Sequence, residues 1–333
     1  MIMENIDNSP DTDDSIEVWL LDGQGGGVRL SQNEIYEYGL KAGEWRWLHL
    51  NYSIPVNQEW LKENSGLSAL TTEALLQEET RPRCVPMDGG LMLFLRGVNL
   101  NPGAEPEDMV SLRIWIDEQR IISLTRRRLL TIKDMRDAVQ ERVGISTPGD
   151  FLTMLVNRLL DQASTVIEDL SDKTDSMEND LLEVADQMLR EQLSDIRRQA
   201  ITLRRYFAPQ REALNRLAMD KTAILTDENR LFLREDADRL TRLIEELDAD
   251  RERASVIHES LLSRLAELTN KRMYILSIIA AILLPLSFVT CLLGINVGGI
   301  PGAESELGFA TVMILIVIVA VALWAYFRWK QWF

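Results

Sequence analysis

Cysteine and histidine are almost missing from this chain of 333 residues. There are two of each, Cys84, Cys291, His49 and His258, all far apart. No disulfide framework or paired-cysteine metal knuckle can be built from them. Tight zinc sites draw mostly on Cys and His, so a structural zinc site within one chain is not expected. Positive charge is short as well: 36 Lys and Arg stand against 52 Asp and Glu, a formal net charge of −16. Binding to nucleic-acid phosphates needs a basic face, so nucleic acid is not an expected partner. The acidic start, MIMENIDNSPDTDDS, has no apolar core of the kind a signal peptide carries. No phosphate-binding glycine loop, nucleophile elbow or catalytic metal motif occurs, and Gly23–Gly27 reads as a turn, so an enzyme is not expected.

Charge of either sign is absent from two late runs, Met273–Leu293 and Phe309–Phe327. Each is long enough to cross a hydrocarbon core of about 30 Å as a helix. Arg264, Lys271 and Arg272 precede the first run, Arg328 and Lys330 follow the second, and the loop between them has neither Lys nor Arg. The positive-inside rule then puts both termini in the cytosol. Trp324, Tyr326, Trp329 and Trp332 read as an aromatic belt at the cytosolic end of the second span.

Before the spans the pattern changes once. Residues 1–14 read as a disordered tail. Residues 15–146 alternate strand and helix signals and read as one cytosolic α+β domain with a mixed sheet. Ile16–Leu21, Trp45–Leu50, Leu91–Val98, Met109–Ile116 and Arg120–Thr125 are its strands. Asn57–Leu67, Ala69–Glu78 and Ile132–Val143 are its helices. Residues 147–226 read as an acidic helical hairpin, started by Pro148 and Asp150 and interrupted at Pro209. Residues 227–272 read as a stalk helix running on into the first span. Its Leu240, Leu243, Leu247, Ala254, Ile257, Leu261, Leu265 and Leu268 recur every three or four residues, a seam expected to gather several copies of the chain.

Two groups of residues could meet ions. Asp161, Glu168, Asp169, Asp172, Asp175 and Glu178 form an acidic stretch that would attract cations, and that would equally serve as a solvated helix face. On the first span, Asn270, Met273, Ser277, Ala280, Leu284, Ser287 and Cys291 share one helix face. That face suits a narrow, partly wettable pore with constrictions at Met273 and Leu284; ordinary helix packing collects similar residues. Past Gly294, a candidate helix end, the carboxamide of Asn296 offers a neutral oxygen to a hydrated divalent ion. Glu304 and Glu306 would add negative potential at the mouth, or serve only as surface charges.

Gly294-Ile295-Asn296, between two C-terminal spans and after a long stalk helix, resembles the Gly-Met-Asn signature of the CorA superfamily of divalent-cation transporters. Ile295 stands where the signature has methionine, and Gly298-Gly299-Ile300-Pro301-Gly302 replaces an acidic loop. Both departures resemble the ZntB branch of zinc transporters. So do Thr80-Arg81-Pro82-Arg83 and the segment Arg204–Arg211 (RRYFAPQR). The resemblance covers nearly the whole chain. It implies a funnel-shaped homopentamer in the bacterial inner membrane, with pore-lining transmembrane helix 1 at 273–296, a periplasmic loop at 297–307, transmembrane helix 2 at 308–327 and a cytosolic tail at 328–333. It implies Asn296 as the selectivity ring and Asn270, Met273, Leu276, Leu284 and Ser287 as pore-facing positions. The transported ion would be Zn2+, with Cd2+, Ni2+, Co2+ and Mg2+ as further cargoes, no cofactor, and membrane lipid and further copies of the chain as partners. Proton-driven uptake is the favoured direction. The alternatives are a Mg2+/Co2+ channel of the wider family and a non-transporting membrane scaffold or sensor.

Overall fold

The computed structural model describes residues 16–31, 38–78, 80–183, 187–295 and 307–329. The expected tail at 1–14 lies outside them. The chain divides into two compact units, Met1–His258 and Glu259–Phe333.

The first unit is built on a seven-stranded mixed sheet. Its strands are β1 (Glu17–Leu21), β2 (Gly27–Leu30), β3 (Trp45–Asn51), β4 (Arg83–Met87), β5 (Gly90–Gly97), β6 (Val110–Ile116) and β7 (Arg120–Thr125), in the order β2-β1-β3-β7-β6-β5-β4. Only β3 and β7 pair in parallel, with Arg46 opposite Arg120 and Asn51 opposite Thr125. The β6–β7 turn is fastened by Asp117 Oδ1, which accepts from the amides of Gln119 and Arg120, both at 2.8 Å. Both faces of the sheet are covered, which is why β5 and β6 are buried at nearly every position rather than at every second one, with Arg96, Ser111 and Arg113 as their polar residues. On one face Leu48, Leu50, Phe94, Trp115 and Leu124 pack with Leu61 of helix α1 (Pro55–Glu63) and Leu75 of helix α2 (Ala69–Leu76). Helix α3 (Leu130–Gln140) packs against β2 and against helix α4 (Pro148–Glu183), while α4 and helix α5 (Gln187–Met219) both pack on β5. Phe151, in the first turn of α4, packs its ring 4.7 Å from Trp47 and 5.9 Å from Trp45.

Two strands escape the sequence pattern, and both lie at the sheet edges. β2 is only four residues long, and β4 carries Pro86, which an edge strand tolerates because its missing N–H faces no neighbour. The expected interruption at Pro209 does not occur: α5 continues through it. Packing of Phe207, Gln210, Ala213 and Leu214, all buried, holds the helix where its own hydrogen-bond ladder is one short.

Helix α6 (Asp227–Leu293) runs parallel to α4 in a fixed register. Both helices begin with a reciprocal capping box. Thr147 and Asp150 exchange amide-to-side-chain bonds of 3.0 and 3.1 Å, and Thr226 and Asn229 do the same at 3.1 Å each. The boxes are joined, since Asn229 Nδ2 donates to Asp150 Oδ1 at 2.9 Å. Further along, Asn157 bonds Asp236, and Ser171 Oγ donates to Asp250 Oδ2 at 2.6 Å. All three pairs are 79 residues apart in sequence (229 − 150, 236 − 157, 250 − 171) and sit at multiples of seven along each helix. Arg239 and Arg253 repeat the pattern outside them. Arg239 reaches Asp161 at 2.7 Å and Ser164 at 3.0 Å, and Arg253 reaches Asp175 and Glu178.

Along this register Leu240, Leu243, Leu247, Ala254 and Ile257 are buried within the single chain. That part of the leucine seam is consumed internally and is not free to gather copies, contrary to the expectation. Leu268 remains exposed.

Two predictions follow from the α4–α6 pair. A Cβ on Gly149 would lie 2.5 Å from Asn229 Oδ1 and 2.6 Å from the Ile224 carbonyl. Gly149→Ala should therefore lower stability by about 1–3 kcal/mol, read as a depressed Tm of the full chain in detergent. Burial pushes the Asp236 carboxyl up from 3.8 to about 6, opposed by the Asn157 bond and by Arg239. An acid whose folded pKa is raised stabilises fully below its unfolded value and loses that contribution as pH rises through its folded value. Asp236→Asn should melt higher than the parent at pH 8, by on the order of 1–3 kcal/mol, and no higher at pH 4. An equal gain at both pH values would contradict the burial argument.

Candidate functional site

The second unit holds the residues expected to meet the ion. The C-terminal part of α6 and helix α7 (Gly308–Trp329) are long and apolar enough to cross a membrane, and 0% of the apolar window of α7 is buried. A core helix of a soluble protein would be covered. Asn270, Met273, Leu276, Ser277, Leu284, Ser287 and Cys291 are all exposed on α6, while Ala280 is half-buried. Tyr274, Ile275, Ile279, Phe288 and Leu292 are exposed too, so exposure alone does not single out one face. At the helix end, the Gly294 amide donates to the Thr290 carbonyl at 3.0 Å and to that of Cys291 at 3.1 Å. Gly294 thus continues the last turn and is not a left-handed helix cap, since its φ is not among the positive ones. Ile295 is exposed. Asn296, Glu304, Glu306 and the rest of the expected loop lie outside the described residues, as do Lys330 and Trp332. At the far end of α7 the Arg328 guanidinium sits 5.3 Å over the Trp324 ring, and Trp329 is exposed.

The acidic stretch on α4 is less free than its composition indicates. Asp161 pairs with Arg239, Asp169 with Lys173 at 2.6 Å, and Asp175 and Glu178 with Arg253. Glu168 and Asp172 are exposed. Among the described residues no three His, Cys, Asp or Glu side chains gather as a metal-binding group. His49 is buried and its Nδ1 lies 2.9 Å from Ser123 Oγ; burial holds its pKa down, at about 3, so the ring stays neutral.

The two segments with arginine-rich motifs converge on one side chain that the sequence reading did not pick out. Arg96 donates from Nη2 to the Thr80 carbonyl at 2.8 Å and from its amide to Gln210 Oε1 at 2.7 Å, and its guanidinium lies 4.8 Å over the Tyr206 ring. Residues 80–83 and 204–211 are thus distant in sequence and adjacent in space. They belong to the sheet and α5, and not to the membrane helices.

The family model described as CorA-like Mg2+ transporter protein matches residues 42–329. The chain belongs to that family. It is 42% identical to the divalent cation transporter CmaX of Pseudomonas aeruginosa over 94% of this chain and 95% of that one. It is 35% identical to the zinc transport protein ZntB of Yersinia enterocolitica, over 93% and 94% of the two chains. Among solved structures, that of full-length CmaX superposes with a TM-score of 0.83 at 41% identity, covering 95% of this chain and 97% of that one.

The two thiols should differ sharply in reactivity. Cys84 is buried, and burial pushes its pKa up to about 12, whereas Cys291 is exposed. A small maleimide applied to the folded chain in detergent should modify Cys291 alone, with Cys84 reacting only after denaturation; peptide mapping by mass spectrometry would show it.

Proposed function

We propose that this chain is a divalent metal-ion transporter of a bacterial inner membrane and that Zn2+ is its main cargo. The observation that carries this reading is similarity along nearly the full length to relatives named as divalent-cation and zinc transporters, together with two apolar helices that the chain leaves uncovered. Two helices cannot enclose a pore, so several copies are required, five by the family resemblance. The polar face of α6 then lines the path and the more uniformly aliphatic α7 faces lipid.

In this reading Asn296 forms a ring of amide oxygens at the mouth, and Glu304 and Glu306 raise the local cation concentration. No Asp, Glu, Lys, Arg or His occurs within Met273–Leu293 or Phe309–Phe327. A bare Zn2+ would find no charged ligand there, so the ion passes hydrated or partly hydrated, and Cd2+, Ni2+ and Co2+ follow it. Proton-driven uptake then relies on groups outside the spans: Glu304, Glu306, the acids of the first unit or metal-bound water.

Purified chain in liposomes should move Zn2+, faster with an inward proton gradient, and Asn296→Ala should cut the flux at least tenfold (roughly the loss of one ligand ring). Undiminished flux in that variant would remove Asn296 from the mouth. A second reading, a Mg2+/Co2+ channel, is favoured by the description of the matching family model. Mg2+ flux exceeding Zn2+ flux in the same vesicles, indifferent to the proton gradient, would establish it instead.

A further inference from the structure

The strands β3, β5 and β7 all point the same way, because β5 and β7 are each antiparallel to β6 and β7 is parallel to β3. At their carboxyl ends lies a cavity of about 260 Å³, closed on one side by α5. In open α/β sheets this is where ligands bind. Four arginines line it: Arg96 from β5, Arg126 and Arg127 just after β7, and Arg205 from α5. In a chain with a net charge of −16 this is a notable concentration of one sign.

Two of the four are not spent on carboxylates of the chain. Among the described residues the exposed side chains of Arg126 and Arg127 form no ion pair or hydrogen bond. Arg205 bonds the Tyr206 hydroxyl at 3.0 Å and stacks on its ring. A further guanidinium lies behind the wall. Arg113 is fully buried and donates to the hydroxyl of Tyr52, at 2.9 Å, and to the carbonyls of Leu75 and Glu78. Tyr52 and Glu78 line the cavity. No carboxylate among the described residues pairs with Arg113; its charge is met by these hydrogen-bonded oxygens and by the Tyr52 ring, 3.8 Å from the guanidinium. Three acids also line the cavity, Glu78, Glu107 and Asp108. Glu107 is turned toward Arg198, 3.7 Å away. The balance stays positive, and the remaining carboxylates would accept from hydroxyl groups on a bound molecule.

The geometry points to a binding site for a small phosphate-bearing anion, inorganic phosphate or a phosphate monoester, at the carboxyl end of the sheet in the first unit. Guanidinium forks match phosphate oxygens two at a time, which a point charge such as lysine does not. The site also gives the converging segments 80–83 and 204–211 a task, since Arg96 and Tyr206, which they clamp together, form its floor.

The test is thermal unfolding of the full chain in detergent, titrated with inorganic phosphate and, separately, with glycerol 2-phosphate, against sodium chloride at matched ionic strength. A saturable rise in Tm is expected with at least one of the two, and the tighter of them identifies which form the site takes. The double variant Arg126→Glu/Arg127→Glu should weaken half-saturation by about tenfold or more while leaving the ligand-free Tm unchanged, because both side chains are exposed and unpartnered. The milder Arg126→Gln/Arg127→Gln should fall between. A rise no larger than that given by chloride, or a response unchanged in both double variants, overturns the proposal.

Discussion

The parallel register between α4 and α6 is the constraint on which the rest of the first unit depends. Polar pairs recur every seven residues at one fixed offset: Asp150 with Asn229, Asn157 with Asp236, Ser171 with Asp250. Sliding either helix by one turn would leave the buried Asn229, Asp236 and Asp250 without their partners, at about 1–3 kcal/mol apiece. An all-leucine interface would be more tolerant of slippage, because one leucine fits the next hole nearly as well. Polar heptad positions thus exchange stability for a single alignment. Asp236 shows the exchange directly, since its burial raises its pKa and costs free energy at neutral pH.

That alignment has a consequence for the longest helix. Because α4 starts against the tryptophans of β3 and shares the sheet face with α5, fixing α6 to α4 fixes the first thirty or so residues of α6 to the sheet. The buried leucines end at Leu261, and beyond it α6 presents Leu262, Leu268, Met273 and Leu276 as exposed side chains. In the proposed assembly, association of copies would draw on this second stretch, together with surfaces of the first unit, and not on the leucines that the sequence repeat puts forward first.

The strands that alternate or run apolar, and the helices with strong start signals, were legible because their determinants are local. Trp45–Leu50 alternates, and Pro148 with Asp150 announces α4. What was not legible depends on partners distant in sequence. β4 was not picked out, and Pro86 argues against a strand until its edge position is known. Pro209 reads as a break until Gln210 is seen accepting from the backbone of Arg96. The acidic stretch reads as an open charge field, since Arg239 and Arg253, which neutralise much of it, lie about seventy-five residues away. For the membrane part the order was reversed. Apolar length and flanking charge are local and were read directly, whereas the arginine cavity is assembled from six separate segments and shows in none of them alone.

An ion pathway without charged side chains imposes its own physics. Moving an unpaired divalent ion from water into a medium of low dielectric costs tens of kcal/mol, and amide, hydroxyl and carbonyl dipoles replace a hydration shell poorly unless many act together. Keeping the shell avoids most of that cost, but then the protein reads the size and charge of the hydrated ion and little of its identity. Zn2+ and Mg2+ differ most in their affinity for nitrogen and sulfur, and the two spans offer as soft atoms only the sulfurs of Met273, Cys291 and Met313. Discrimination between these metals would therefore depend on how far the shell is stripped at the mouth. In the proposed reading, Ile295 in place of the methionine of the resembled signature, and neutral glycines in place of acids, would act at that step.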